Sequence, residues 1–172
     1  MLLYIRIARD SLYLFLRKLL MYHKILVPLD SSSAAEQALQ EACRLAKWAN
    51  ASVYALHIID VSQLNWGGLI EAGEADLTQI IEEAGQDIVA KAQAQIMKYG
   101  VESHSRVLSS TGEKIADVLL REAQEAGCDL IVMGTHGFTG LMHLLMGSVA
   151  EGVVRHTNTP VLLVRHASNK IL

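Results

Sequence analysis

Apolar positions along this chain fall into short blocks that alternate between two periods. The run "HKILVPL" (residues 23–29) is a stretch of branched aliphatics and reads as a buried strand. Ala35, Ala38, Leu39, Ala42, Leu45, Ala46 and Ala49 then recur at helical spacing through residues 31–50, with Ser33 and Glu36 as an S-x-x-E capping box at the entry. "SVYALHIID" (52–60) is a second strand. Residues 61–74 have weak periodicity and three glycines, the mark of an irregular loop. A long helix follows from about Ala75 to Tyr99, stopped by Gly100. "VESHSRVL" (101–108) is a third strand, polar enough to lie near an edge. Ser110 and Glu113 form a second capping box before the helical "KIADVLLREAQEAG" (114–127). "DLIVMG" (129–134) is almost wholly apolar and so central. "SVAEGVVRH" (148–156) is a last helix and "PVLLVR" (160–165) a fifth strand.

Strand and helix alternate throughout, which predicts an α/β fold: a doubly wound, five-stranded parallel sheet with helices on both faces. Sheets of this kind take ligands at the carboxyl ends of the strands, where the strand order reverses. With the order 3-2-1-4-5, that crevice lies between strands one and four. Asp30 ends strand one and Gly134 ends strand four, so the two most suggestive chemical features meet there.

Composition narrows the function. Of 172 residues, 51% are hydrophobic and 19% charged, a globular balance with one domain's worth of core. The net charge of −3 is uneven. Residues 1–20 hold four basic side chains against one acid, which leaves eleven basic and seventeen acidic in the rest. So acidic a body argues against a broad nucleic-acid surface. Two isolated cysteines, Cys43 and Cys128, form no disulfide framework, and a reducing, cytoplasmic setting follows.

The first twenty residues, "MLLYIRIARDSLYLFLRKLL", place Arg6, Arg9, Asp10 and Arg17 on one side of a helix that is otherwise apolar. The stretch lacks the ~20 uninterrupted apolar residues of a spanning helix and the cleavage site of a secretory signal. Three readings remain: a membrane-surface helix, a segment that docks on protein, or an extension upstream of Met21. The third fits best, since "MYHKILVPLD" is a natural opening for a strand-first domain. The domain is then residues 21–166, with 167–172 a tail.

The chemistry concentrates in "GTHGFTGLMHLLMGS" (134–148). Glycines let backbone N–H groups approach a phosphate, and a helix N-terminus adds unpaired donors and partial positive charge. Gly134 and Gly137 follow strand four, and Gly147-Ser148 stands before the last helix. A plainer account is also open: Gly134 ends a strand, and Ser148 with Glu151 makes a third capping box. The stretch is neither a Walker A loop nor a G-x-G-x-x-G fingerprint.

The spacing Gly134-x2-Gly137-x9-Gly147-Ser148 resembles the ATP-binding signature of universal stress proteins, and "KILVPLD", "LHIID", "DLIVMGTHG" and "NTPVLLVR" extend the likeness from Met21 to about Arg165. The resemblance implies a nucleotide site. In it Asp30 lies beside the nucleoside and Pro28 lines the pocket. Ile58 lies against the adenine and can bond it through its backbone. Met133 and Gly134 border the ribose and phosphates. The segment Thr135, His136, Gly137, Phe138, Thr139, Gly140 wraps the phosphates, and Gly147, Ser148 and Val149 offer N–H groups and a hydroxyl. It also implies a magnesium or manganese ion bridging the phosphates, and a homodimer paired through the strand at 160–165, which buries an otherwise exposed apolar edge.

One departure bears on the ligand. Many members carry Arg or Lys where this chain has Phe138, and losing that cation costs about 1–3 kcal/mol by the strength of charge-assisted hydrogen bonds. Either the ligand carries fewer phosphates, as AMP or a cyclic nucleotide does, or Phe138 packs over the loop and main-chain donors suffice for ATP. Asp30 reads as a ribose ligand or as a strand-ending acid, and Ser31 to Ser33 as a helix entry. His57 reads as a packed strand residue, and His136 as a phosphate contact. Trp66 is a lid or a surface aromatic. No histidine or cysteine pair has metal-ligand spacing. No nucleophile–base pair is evident, so any ATP hydrolysis is slow.

Overall fold

The computed structural model describes residues 22–62, 74–137 and 146–165. The expected N-terminal helix, most of the loop at 61–74 with Trp66, the segment Phe138, Thr139, Gly140, and the tail lie outside the described residues.

The centre of the fold is β1 (Lys24–Leu29), whose side chains are buried on both faces. It pairs in parallel with β2 (Ser52–Asp60) on one side and β4 (Leu130–Gly134) on the other. β3 (Ser103–Ser110) extends the sheet beyond β2, and β5 (Val161–Val164) beyond β4. All pairs are parallel, and the order is β3-β2-β1-β4-β5. The polar β3 is at one edge and the apolar β4 is internal, as their compositions predict.

Successive β1 residues point to opposite sides, and two cores result. On one side Ile25, Val27 and Leu29 pack with Ala38, Leu39 and Ala42 of α1 (Ser33–Ala49) and with Ala92 and Ile96 of α2 (Glu74–Lys98). On the other, Leu26, Leu56 and Ile131 pack with Leu119 and Ala123 of α3 (Ile115–Glu125) and with Ala150 and Val153 of α4 (Ser148–His156). Burying each Leu, Ile or Val this completely contributes roughly 1.5–3 kcal/mol, so the central strand anchors both layers.

Helix ends depart from the capping boxes expected of the sequence. Asp30 accepts hydrogen bonds from the Ser32 N–H (3.1 Å) and hydroxyl (2.5 Å), and Ser31 turns at φ 62°. That makes Ser32 the cap of α1, its Oγ accepting from the Ala35 N–H at 3.1 Å, and Ser33 the first helical residue. Ser110 is not a cap. It ends β3, buried, and its hydroxyl donates to the Glu113 carbonyl at 2.8 Å, while α3 starts after Lys114 with no side-chain cap. Nor does Ser148 cap α4: Gly147 holds that position without a side-chain bond, and Ser148 is the first helical residue.

The buried acid Glu122 of α3 accepts from the Tyr54 hydroxyl and from the half-exposed Arg106 guanidinium (2.9 Å). Burial and the neighbouring Glu122 carboxylate push the Tyr54 hydroxyl up to about 12. This ties the α3 layer to β2 and β3.

Candidate functional site

The strands β1 and β4 are neighbours, yet the helices that follow them go to opposite faces: α1 after β1, α4 after β4. Chain segments therefore diverge at the carboxyl ends of these two strands and leave a crevice. A cavity of about 280 Å³ opens there. That is close to the lower end of the ~300–1,000 Å³ range of small-molecule sites.

Eleven of the fourteen residues expected at the site line this cavity, and the other three, Phe138, Thr139 and Gly140, lie outside the described residues. Pro28 and Asp30 come from the end of β1, Ile58 from β2, and Met133 and Gly134 from β4. Thr135, His136 and Gly137 follow β4, and Gly147, Ser148 and Val149 open α4. The sequence reading missed Leu29, Ala35, Leu56, Ile115 and Ala150. These are small or apolar side chains that serve the cores as well as the cavity wall, so no polar or glycine signal marks them.

The glycines act by leaving space. None of Gly134, Gly137 and Gly147 is among the positive-φ glycines of the described chain, so left-handed torsion does not require them. A Cβ on Gly134 would stand 2.8 Å from the Ala34 Cβ and 3.0 Å from its carbonyl carbon, so β4 can abut the first turn of α1 only as glycine. A Cβ on Gly137 would stand 2.5 Å from Asp30 Oδ2, which brings the two loops across the crevice into contact. At Gly147 the nearest atom would be at 3.5 Å, an ordinary contact, so protein packing does not call for glycine there.

Thr135 sets the frame of the phosphate-side loop. Its N–H donates to the Val164 carbonyl at 3.0 Å, and its carbonyl accepts from the Gly147 N–H at 2.8 Å. The Gly147 N–H is thus engaged within the protein. The donors that α4 directs beyond its own hydrogen-bond ladder are those of its first turn, starting with Ser148 and Val149. This helix start carries roughly half a positive charge. Opposite it stands the Asp30 carboxylate, and the cavity walls contain no Lys or Arg among the described residues. His136 Nδ1 lies 3.0 Å from Thr135 Oγ1. His57 is packed on β2, as expected, with its Nδ1 2.7 Å from the Leu29 carbonyl oxygen.

No group of three or more His, Cys, Asp or Glu suited to a metal ion occurs among the described residues. Among the described residues, Asp30 is the one carboxylate on the cavity wall. No described helix is long and apolar enough to cross a membrane.

Fold and cavity together define a doubly wound α/β domain with a ligand-sized crevice at its switch point. The chain belongs to the universal stress protein family, whose model matches residues 21–165. It is 36% identical to universal stress protein MJ0531 of Methanocaldococcus jannaschii over 146 residues, 84% of this chain and 83% of that one. The solved structure of MJ0577, from the same organism, is 29% identical and superposes with a TM-score of 0.76, covering 87% of this chain and 99% of that one. A universal stress protein from Archaeoglobus fulgidus, solved in complex with dAMP, is 25% identical with a TM-score of 0.58, covering 84% and 99% of the two chains.

Proposed function

We propose that this chain binds an adenine nucleotide in the crevice between β1 and β4 and acts in a stress response through nucleotide-dependent conformation and contacts with a second copy or a partner. One observation carries the reading: eleven positions from four separate stretches of sequence converge on a single cavity at the switch point. The dAMP complex of the Archaeoglobus relative supports adenine as the base. In this arrangement Asp30 accepts from a ribose hydroxyl, the apolar Pro28 and Ile58 cover the base, and the first turn of α4 faces the phosphates. ATP is the ligand the glycine spacing implies; Phe138 favours AMP or a cyclic nucleotide. Magnesium or manganese travels with the phosphates of a polyphosphate ligand.

The function assigned is binding, and any ATP hydrolysis at the site is slow. Residues 21–166 form the nucleotide-binding unit, and the family match over 21–165 supports that boundary. Cys43 and Cys128 are both free and buried, which fits a cytoplasmic protein.

The test is direct. Purified protein is denatured and the released small molecules are identified by chromatography and mass; ATP, AMP and cyclic AMP are then titrated into stripped protein. An adenine nucleotide is expected to bind and raise the melting temperature, by the equivalent of about 2.7 kcal/mol at 100 times its Kd. If no adenine nucleotide is released and none binds, the reading is wrong.

The assembly has its own test. β5 ends the described sheet with one side unpaired, and Leu162 on it is 37% exposed. Light scattering is expected to give a dimer for the native chain and a monomer for Leu162→Lys, because a charge on an apolar pairing edge blocks strand addition. A dimer that persists in the variant removes β5 from the interface.

A further inference from the structure

The β1–β2 ladder ends at the pair Leu29↔His57, whereas the β2–β3 ladder runs three residues further, to Asp60↔Ser110. At the Leu29↔His57 pair β1 leaves the sheet and turns into Asp30. The His57 ring closes the end of the ladder, with Nδ1 2.7 Å from the Leu29 carbonyl oxygen. A carbonyl only accepts, so Nδ1 carries the proton and donates. The ring is held from behind as well. A Cβ on Gly85 of α2 would stand 3.1 Å from His57 Cδ2 and 3.0 Å from Val107 Cγ1, so the helix backbone presses close to the imidazole. The peptide that His57 grips is the one leading into Asp30, and Asp30 in turn fixes Ser32 through two hydrogen bonds.

We infer that His57 is the positioning residue of the nucleotide site: wedged between α2 and the end of β1, it holds the Leu29 carbonyl and thereby sets where the Asp30 carboxylate stands in the cavity. The inference rests on the nucleotide reading only for the ligand's identity. His57 does not itself line the cavity. Its effect passes through one backbone carbonyl, and any side chain that donates from the same point will serve. Asparagine meets that requirement, because its amide nitrogen sits where Nδ1 does. Leucine keeps the bulk and loses the donor.

The experiment compares His57→Asn and His57→Leu with the native chain by two readouts. The first is amide hydrogen exchange without nucleotide. The Ser32 N–H, which donates to Asp30, and the Ala35 N–H, which donates to Ser32, are expected to exchange at least tenfold faster in the leucine variant and near the native rate in the asparagine variant. The central β4 amides serve as the control for global destabilisation. The second is affinity for AMP and ATP, expected to fall about tenfold in the leucine variant and less than threefold in the asparagine variant. Native exchange at Ser32 and Ala35 in the leucine variant overturns the inference. So does equal loss in both variants. A native chain that binds neither nucleotide overturns the nucleotide reading instead, and the exchange result still decides the role of His57.

Discussion

Gly137→Val is expected to weaken adenine-nucleotide binding by about 100-fold or more, the equivalent of roughly 3 kcal/mol, while the protein stays folded. A Cβ at this position would already lie 2.5 Å from Asp30 Oδ2. The carboxylate has little freedom to yield, because its other oxygen is held by the Ser32 N–H and hydroxyl. Valine adds two methyl groups to that collision, so either Asp30 leaves its place or the segment after β4 swings outward. Both outcomes dismantle the cavity without touching either core, since Gly137 lies beyond the end of β4. Gly134→Ala makes the informative contrast. Its methyl would run into Ala34 on the first turn of α1, backbone included, and the strain falls on the fold: about 1–3 kcal/mol of stability, as for other overpacked interiors. Calorimetric titration and thermal melts on the two variants separate these effects. Binding by Gly137→Val within threefold of native means that the gap between Gly137 and Asp30 is not part of the site.

The contrast also shows which features of the site were legible in the sequence. Alternating periods gave the element order, and the apolar character of "DLIVMG" gave its central place, because burial on both faces leaves a strand no polar positions. The glycine spacing located the crevice, since close approach between backbones admits few other residues. Capping was less legible. Three serines stand in a row at 31–33, and S-x-x-E fits the third, but the Asp30 carboxylate captures the second and moves the cap one residue back. At Ser110 the same local pattern belongs to a strand end. Ser148 is displaced from the cap by Gly147, whose N–H is bound by Thr135. At Asp30 and Ser110 a competing bond within two or three residues decides between local alternatives, and at Gly147 the bond to Thr135 across the loop does so. The grip of His57 on Leu29 joins residues 28 apart in sequence, and Gly85 meets that ring only through the packing of α2. No periodicity or spacing encodes such contacts. The cavity wall at Leu56, Ile115 and Ala150 was hidden for a different reason, since its residues carry the same apolar signal as the core.

Asp30→Ala is expected to reduce nucleotide affinity by about 10- to 150-fold, the loss of one charge-assisted hydrogen bond worth ~1.5–3 kcal/mol. Two contributions have to be told apart. Asp30 faces the cavity, where its carboxylate can accept from a ribose hydroxyl, and it also orients Ser32, which caps α1 through the Ala35 N–H. Removing the side chain removes both. Asp30→Asn preserves the shape and one acceptor oxygen, so Ser32 keeps a partner and α1 keeps its cap, while the negative charge is gone. The ligand pair AMP and 2′,3′-dideoxy-AMP completes the design. If Asp30 holds the ribose, the native chain binds the dideoxy compound about tenfold or more weakly than AMP, and Asp30→Ala binds the two alike. Thermal unfolding of the three proteins without ligand isolates the structural share, expected at about 1 kcal/mol for a weakened helix cap in Asp30→Ala and less in Asp30→Asn. Equal discrimination between the two nucleotides in the native chain and in Asp30→Ala would remove Asp30 from ribose recognition and leave it the organiser of the turn into α1. In that case the acid after β1 serves the fold, and specificity for the nucleoside rests on the apolar wall around Pro28 and Ile58.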